Sequence, residues 1–164
     1  MRFAAIAAFV LCAVALAFHS TAQSATGMSA MQYYVGSWTC TGGAPGKTPV
    51  HATLTFTLDN GLLREWVVVP VQTGQKTPYD GGELRTYDAT HHRYAAVSMN
   101  NDGSWGVTYV TLNGNIETGI DHVTQDGKLG RGVTNRVSNT TFTYTGYPTL
   151  TSAKADFKAS CHRS

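Results

Sequence analysis

The sequence predicts an all-β protein: an antiparallel up-and-down barrel of about 8–10 strands with a short N-terminal helical turn. Turn-forming pairs recur at short spacing along the chain, and the runs between them are rich in threonine, valine and aromatic residues. No long window shows the 3.6-residue apolar period of an amphipathic helix. These three observations exclude a helical bundle and an α/β fold.

Four turn sequences separate the predicted strands: Asp59-Asn60-Gly61, Asn101-Asp102-Gly103, Asn113-Gly114 and Asp126-Gly127. Each supplies residues that tolerate the positive φ of a hairpin turn. The clearest predicted strand is 52–58, which has leucine or phenylalanine on one face and threonine on the other. This alternation is the two-residue period of a half-buried strand. Strands are predicted at 37–41, 52–58, 62–71, 82–87, 94–99, 106–112, 116–123, 132–137, 141–144 and 155–161, and one helical turn at 29–35.

Cys40 and Cys161 lie in the first and last predicted strands. A disulfide needs Cα atoms within about 7 Å, and a closed up-and-down barrel makes these two strands neighbours. A β-sandwich also protects its strand edges and is able to bring its ends together, but its topology does not require it. The two cysteines therefore favour the barrel, and two unpaired buried thiols are the alternative.

Residues 1–22 have the composition of a secretory signal peptide. Arg2 is the one early charge, residues 3–18 are apolar, and Ser20-Thr21-Ala22 offers small residues for cleavage. The alternative is a membrane anchor, but the apolar run is shorter than the roughly 20 residues that span a bilayer. We expect a signal peptide at 1–22, a lead-in at 23–32 and a single barrel domain at 33–164. An exported product, periplasmic or secreted, favours a disulfide between Cys40 and Cys161.

Composition and charge exclude several classes of protein. Only 13% of residues are charged while 10% are aromatic, which excludes a long disordered chain. The formal net charge of +2 at pH 7 is too small for a nucleic-acid-binding surface. No later apolar run is long enough to span a membrane, so no stable membrane insertion is expected.

Gly36-Ser37-Trp38 opens the first strand after the predicted helical turn. This Gly-x-Trp resembles the N-terminal signature of lipocalin-like (calycin) barrels, in which the tryptophan packs across the barrel floor. The order of later motifs over residues 33–161 resembles a family of exported bacterial lipocalin-like proteins of unknown function; these motifs are Leu58-Asp59-Asn60-Gly61-Leu62-Leu63, Gly81-Gly82, Tyr87-Asp88, Arg93-Tyr94 and Asp102-Gly103. The Thr-Asp-Tyr element of lipocalins is absent, and the sequence assigns no arginine to a place over Trp38.

A barrel of this size has room to enclose one small ligand. Aromatic side chains with a polar group suit a cavity wall, and an inward arginine suits a carboxylate ligand. Filling the core, or facing solvent on the outer side of a strand, is the alternative for each residue. The predicted ligand-binding residues are Trp66, Arg85, Tyr87, Tyr94, Trp105, Tyr109, Arg136 and Tyr144.

The sequence contains none of the common nucleophile, zinc-protease or phosphate-loop motifs. The acidic residues Glu83, Asp88 and Glu117 are scattered, so spacing supports no carboxylate pair, and the histidines do not converge in sequence. We therefore expect no catalytic residues, metal or cofactor, haem included. The leading hypothesis is a carrier or sensor for a small hydrophobic or amphipathic ligand. The alternatives are an interaction module, such as an inhibitor of a secreted hydrolase, and an enzyme that uses an inward histidine or arginine.

Overall fold

The computed structural model describes residues 27–71 and 77–164. Within these ranges a 3-10 helix precedes ten strands; the predicted signal peptide lies outside them. The helix spans Gly27–Tyr33. The strands are β1 (Gly36–Gly43), β2 (Val50–Asp59), β3 (Leu62–Val69), β4 (Tyr79–Asp88), β5 (Arg93–Asn100), β6 (Trp105–Asn113), β7 (Ile116–Thr124), β8 (Arg131–Ser138), β9 (Thr141–Tyr147) and β10 (Phe157–Arg163).

Each strand pairs antiparallel with the next, and β10 pairs with β1 to close the barrel. The predicted fold class is therefore confirmed. Cys40 lies directly opposite Cys161 in the register of β1 and β10, and their sulfur atoms are 1.97 Å apart, the distance of a disulfide. The chain thus joins its first and last strands by both hydrogen bonds and sulfur.

The hairpin turns follow the predicted turn sequences. Asn60 and Gly61, between β2 and β3, both have positive φ (48° and 76°), as a two-residue hairpin turn requires. The strand β3 ends at Val69 rather than at the predicted 71 because Pro70 has no N–H for the ladder. The strand β10 begins at Phe157 rather than at 155, since the residues before it form turns.

The 3-10 helix covers one end of the barrel, which we call the floor. Met31 and Trp38 are fully buried there (0% exposed). The indole Nε1 of Trp38 donates to the Tyr34 carbonyl at 2.7 Å, and its ring lies 4.8 Å from that of Phe142. A buried tryptophan whose N–H is satisfied contributes a large apolar area without leaving a polar group unpaired. The floor is therefore the packed core of the barrel.

Arg163 covers the solvent-facing end of this core, next to Trp38. The sequence analysis assigned no arginine to that place. Its guanidinium lies 4.5 Å from the Trp38 ring and donates to the carbonyls of Val35 and Tyr33, both at 2.6 Å. The reason is that β10 runs past its predicted end at 161 to Arg163, which pairs with Trp38 in the register. Residues two apart on a strand face the same side, so the strand position of Cys161 was the sequence signal for the side on which Arg163 lies.

We expect Arg163→Met to lower the free energy of unfolding by about 1–2 kcal/mol, because it removes a cation–π contact and hydrogen bonds to two floor carbonyls. Urea unfolding followed by tryptophan fluorescence measures the change. The matched control is Arg64→Met on the exposed outer face of β3, with an expected change within about 0.5 kcal/mol. Equal effects at both positions would contradict a structural role for Arg163.

Candidate functional site

A cavity of about 600 Å³ lies inside the barrel, between the floor and the opposite strand ends. Its wall combines an apolar surface with a few polar side chains. The apolar residues are Val50, Ala52, Leu54, Val67, Val69, Phe157 and Ala159. A second cavity of about 320 Å³ adjoins it and shares Glu83, Arg85, Glu117, Thr134 and Tyr144.

Two glycines allow polar side chains to lie flat against the cavity wall. A side chain at Gly81 would collide with the amide oxygen of Asn100, its partner on β5. At Gly132, a Cβ would lie 2.8 Å from the hydroxyl oxygen of Tyr144 on β9. The absence of a side chain at these positions therefore decides where Asn100 and Tyr144 lie.

Glu117 is the centre of a buried polar cluster between the floor and the cavity. It is only 3% exposed. Its carboxylate accepts hydrogen bonds from the Tyr34 hydroxyl at 2.8 Å and from Arg85 Nη1 at 2.8 Å. Arg136 donates to the same carboxylate through Nε at 3.0 Å and also through Nη2. Three donor side chains, two of them cationic, surround this buried carboxylate. Such an arrangement offsets the cost of burying a charge.

Glu83 extends the cluster toward the cavity. Arg85 donates to Glu83 through Nε at 2.9 Å and pairs with it through Nη2 at 2.7 Å. Burial alone would lower the pKa of Arg85, but the adjacent carboxylates of Glu83 and Glu117 outweigh it and raise the pKa. Arg85 is therefore a permanent cation that holds the two glutamates in place.

Glu65 lies on β3 directly opposite Glu83 and lines the larger cavity. Its carboxyl group makes no hydrogen bond or ion pair with any residue in the described ranges. Burial, reinforced by the charge of Glu83, raises the pKa of Glu65 from 4.5 to about 8. The empty barrel therefore favours the protonated acid at neutral pH.

Because this pKa is raised in the folded protein, protonated Glu65 stabilises the fold below pH 4.5, and that contribution is lost as pH rises through about 8. We expect Glu65→Gln to be increasingly more stable than the unsubstituted protein as pH rises from 4.5 to about 8. Urea unfolding at neutral pH and at about two pH units to either side of it measures the difference in the free energy of unfolding between the two proteins. A difference that does not change with pH would contradict the raised pKa.

The structure brings three of the predicted ligand-binding residues together around Glu83 and Glu117: Arg85, Arg136 and Tyr144. Tyr87 and Tyr94 also point inward, but they lie in the floor, where their rings contact each other at 5.2 Å. Tyr94 donates from its hydroxyl to the carbonyl of Gly27 at 2.8 Å. These two tyrosines therefore pack beneath the cavity rather than along its wall.

The other three predicted ligand-binding residues lie on the outer face of the barrel. Trp66 is 55% exposed and Trp105 is 45% exposed, and Tyr109 stacks against the Arg93 guanidinium at 3.5 Å. Alternation along β3 explains the first case, because Glu65 and Val67 on either side of Trp66 face the cavity. Since residues 66–69 of β3 are apolar on both faces of the strand, the sequence does not determine which face is the inner one.

Sequence spacing supported no carboxylate pair, yet the structure assembles one. Glu65 and Glu83 are register partners, and Arg85 joins Glu83 to Glu117. The chain contains only three glutamates, and all of them line the larger cavity. Each lies in a predicted strand, and this placement was the one sequence signal for the cluster.

In the two described ranges no group of three histidine, cysteine, aspartate or glutamate side chains lies close enough to hold a metal ion. The neighbours His91 and His92 lie in the hairpin between β4 and β5, where His91 Nδ1 contacts Asp88 at 2.7 Å. The candidate site is therefore the cavity with its polar cluster.

Among the same residues, no helix has the length and apolar character needed to cross a bilayer. No protein-family model matches the chain, and no curated protein matches it significantly.

Proposed function

We propose that this chain is an exported, lipocalin-like barrel that binds one small, partly apolar molecule in its interior, as a carrier or a sensor. The observation that carries the proposal is the interior cavity of about 600 Å³. Ligand sites in proteins typically enclose 300–1,000 Å³ and combine apolar walls with a few polar groups. The strands of the barrel surround a space of this size and composition.

The two kinds of wall suggest how a ligand lies. Val50, Val67 and Val69 form an apolar surface near the strand ends that lie opposite the floor. Glu65, Glu83 and Arg85 lie deeper, next to the buried cluster. An amphipathic molecule would therefore place its polar group inward and its hydrocarbon part along the valines.

We expect Val67→Trp to weaken binding of the uncharged fluorescent probe N-phenyl-1-naphthylamine at least tenfold, because the indole fills space on the cavity wall. The matched control is Val97→Trp, which places the same side chain on the outer face, where Val97 is 43% exposed. Fluorescence titration measures both affinities. Equal binding to the two variants would mean that the probe does not occupy the cavity, and would overturn the proposal.

Export and domain organisation belong to the same proposal. The apolar N-terminal segment and the cysteine pair at disulfide distance support removal of residues 1–22 and folding of 33–164 as a single domain in an oxidising compartment. Expression of the full chain followed by N-terminal sequencing of the protein recovered outside the cytoplasm tests this. The expected first residue is Gln23, and an intact N-terminus starting at Met1 would contradict export by a cleaved signal.

A further inference from the structure

The three carboxyl groups that line the larger cavity differ in whether they have a basic partner. Arg85 pairs with Glu83 and Glu117, and Arg136 pairs with Glu117 from beyond the cavity lining. In the described ranges the third carboxyl group, that of Glu65, makes no hydrogen bond or ion pair. The group without a partner is therefore a carboxyl group on the cavity wall.

Every guanidinium nitrogen of the two arginines already has a protein partner. Arg85 uses Nε and Nη2 on Glu83 and Nη1 on Glu117. Arg136 uses Nε and Nη2 on Glu117 and donates from Nη1 to the Ala30 carbonyl at 3.0 Å. A carboxylate ligand would therefore compete with the buried glutamates for these guanidiniums, and displacing a glutamate would leave that charge unpaired.

Every charged group near Glu65 is already committed to another partner. From β4 it faces Glu83 and Arg85, and from β7 it faces Glu117, whose charge also raises its pKa. Tyr79, on the same wall, has its own pKa raised by burial and by the charges of Asp102 and Glu65. Neighbouring β2 contributes the apolar Leu54 and Phe56 to the cavity. Within residues 27–71 and 77–164, no basic side chain therefore pairs with Glu65.

We propose that the cavity binds a monovalent organic cation, an amphipathic amine or quaternary ammonium, with Glu65 as its counter-ion and the valine wall around its hydrocarbon part. This inference rests on the function proposed above and names its ligand class. A cation there pairs with the one carboxyl group of this set that has no partner among the described residues. The faces of Tyr79 and Tyr144, both on the cavity wall, provide the electron-rich surface that binds ammonium groups.

Binding of such a cation is linked to the loss of a proton. The acid form of Glu65 is favoured in the empty barrel because its pKa is raised to about 8, and the bound cation stabilises the carboxylate. Below that pKa, one proton leaves Glu65 for solvent when the cation binds. Affinity therefore increases with pH by up to tenfold per pH unit until the carboxylate is already formed.

Three probes with an eight-carbon chain separate the ligand classes: octyltrimethylammonium, octanol and octanoate. The charge of octyltrimethylammonium does not titrate, so any pH dependence of its binding comes from the protein. Titration calorimetry at pH 6 and pH 9 (about two units below and one above the Glu65 pKa), in buffers of different ionisation enthalpy, gives affinity and protons released. The proteins are the full mature chain, Glu65→Gln, and Asp59→Asn as a control at the exposed β2–β3 turn.

At pH 9 we expect octyltrimethylammonium to bind at least tenfold more tightly than octanol or octanoate, and to lose at least tenfold in affinity at pH 6 with release of about one proton. Glu65→Gln removes both the preference and the proton release, whereas Asp59→Asn keeps them. Octanol binding shows that each variant has an intact barrel. Proton release by the unsubstituted protein tests the proposal even if Glu65→Gln does not fold.

Two outcomes distinguish the ligand class from the proposed function. Octanol or octanoate binding as tightly as the cation, with Val67→Trp blocking them, overturns the cation and keeps the binding function. Failure of all three probes together with N-phenyl-1-naphthylamine removes the binding function itself. Cation binding that is unchanged in Glu65→Gln, or that releases no proton below pH 8, overturns the role of Glu65.

Discussion

Glu117→Ala is expected to lower the free energy of unfolding by about 3–5 kcal/mol, the range found when one partner of a buried ion pair is removed. Of its hydrogen bonds, Arg136 would keep only the one to the Ala30 carbonyl. Arg85 would keep Glu83 but leave Nη1 without its carboxylate, and the Tyr34 hydroxyl would lose its acceptor. The cost therefore comes from buried donors left without a partner rather than from the lost attraction alone.

Urea unfolding of Glu117→Ala measures this loss, and a double variant identifies its cause. Glu117→Leu combined with Arg136→Met removes the charge together with one of its partners and replaces both by apolar side chains of similar size. We expect this double variant to be more stable than Glu117→Ala, because exchange of a whole buried pair is often neutral. A loss below about 1 kcal/mol in Glu117→Ala would mean that water replaces the carboxylate.

Joint replacement of Cys40 and Cys161 by serine is expected to lower the free energy of unfolding by about 4–5 kcal/mol. The two cysteines are 121 residues apart in sequence, and a crosslink between such distant residues removes much of the conformational freedom of the unfolded chain. Since a small domain is typically stable by only 5–15 kcal/mol, this loss would leave the barrel close to its unfolding limit.

Urea unfolding with and without a thiol reductant tests the disulfide prediction. The unsubstituted protein should lose the same stability on reduction, whereas the double serine variant should not respond to the reductant. The chain's other cysteine, Cys12, lies in the predicted signal peptide, so the test uses the chain from Gln23, which has no third thiol to exchange. A reductant that leaves the unsubstituted protein unchanged would contradict a stabilising bridge between β1 and β10.

The buried cluster connects these stability effects to the proposed site. Glu117 and Arg85 join the floor to the cavity wall, because Tyr34 and Arg136 reach them from below and Glu83 from the cavity side. The same contacts that stabilise the fold also engage both guanidiniums, and they leave Glu65 without a partner among the described residues. The specificity proposed for the cavity is therefore a consequence of how the core is paired.

The sequence by itself predicted the strands and the turns, and it favoured closure of the barrel. These depend on local chemistry: Asn60-Gly61 adopts a hairpin turn wherever it occurs between strands, and the alternation of residues 52–58 specifies a half-buried strand. The cysteine pair then favoured a barrel over a sandwich, because it requires the first and last strands to be neighbours.

Only the tertiary structure decided which residues meet inside the barrel. Trp66 and Glu65 are adjacent in sequence, yet a one-residue change of register would exchange the faces they occupy. Glu65, Glu83 and Glu117 come from β3, β4 and β7, so their proximity depends on the register of several strands and on closure of the sheet. Local patterns do not contain that information, because pairing between distant strands is a property of the whole barrel.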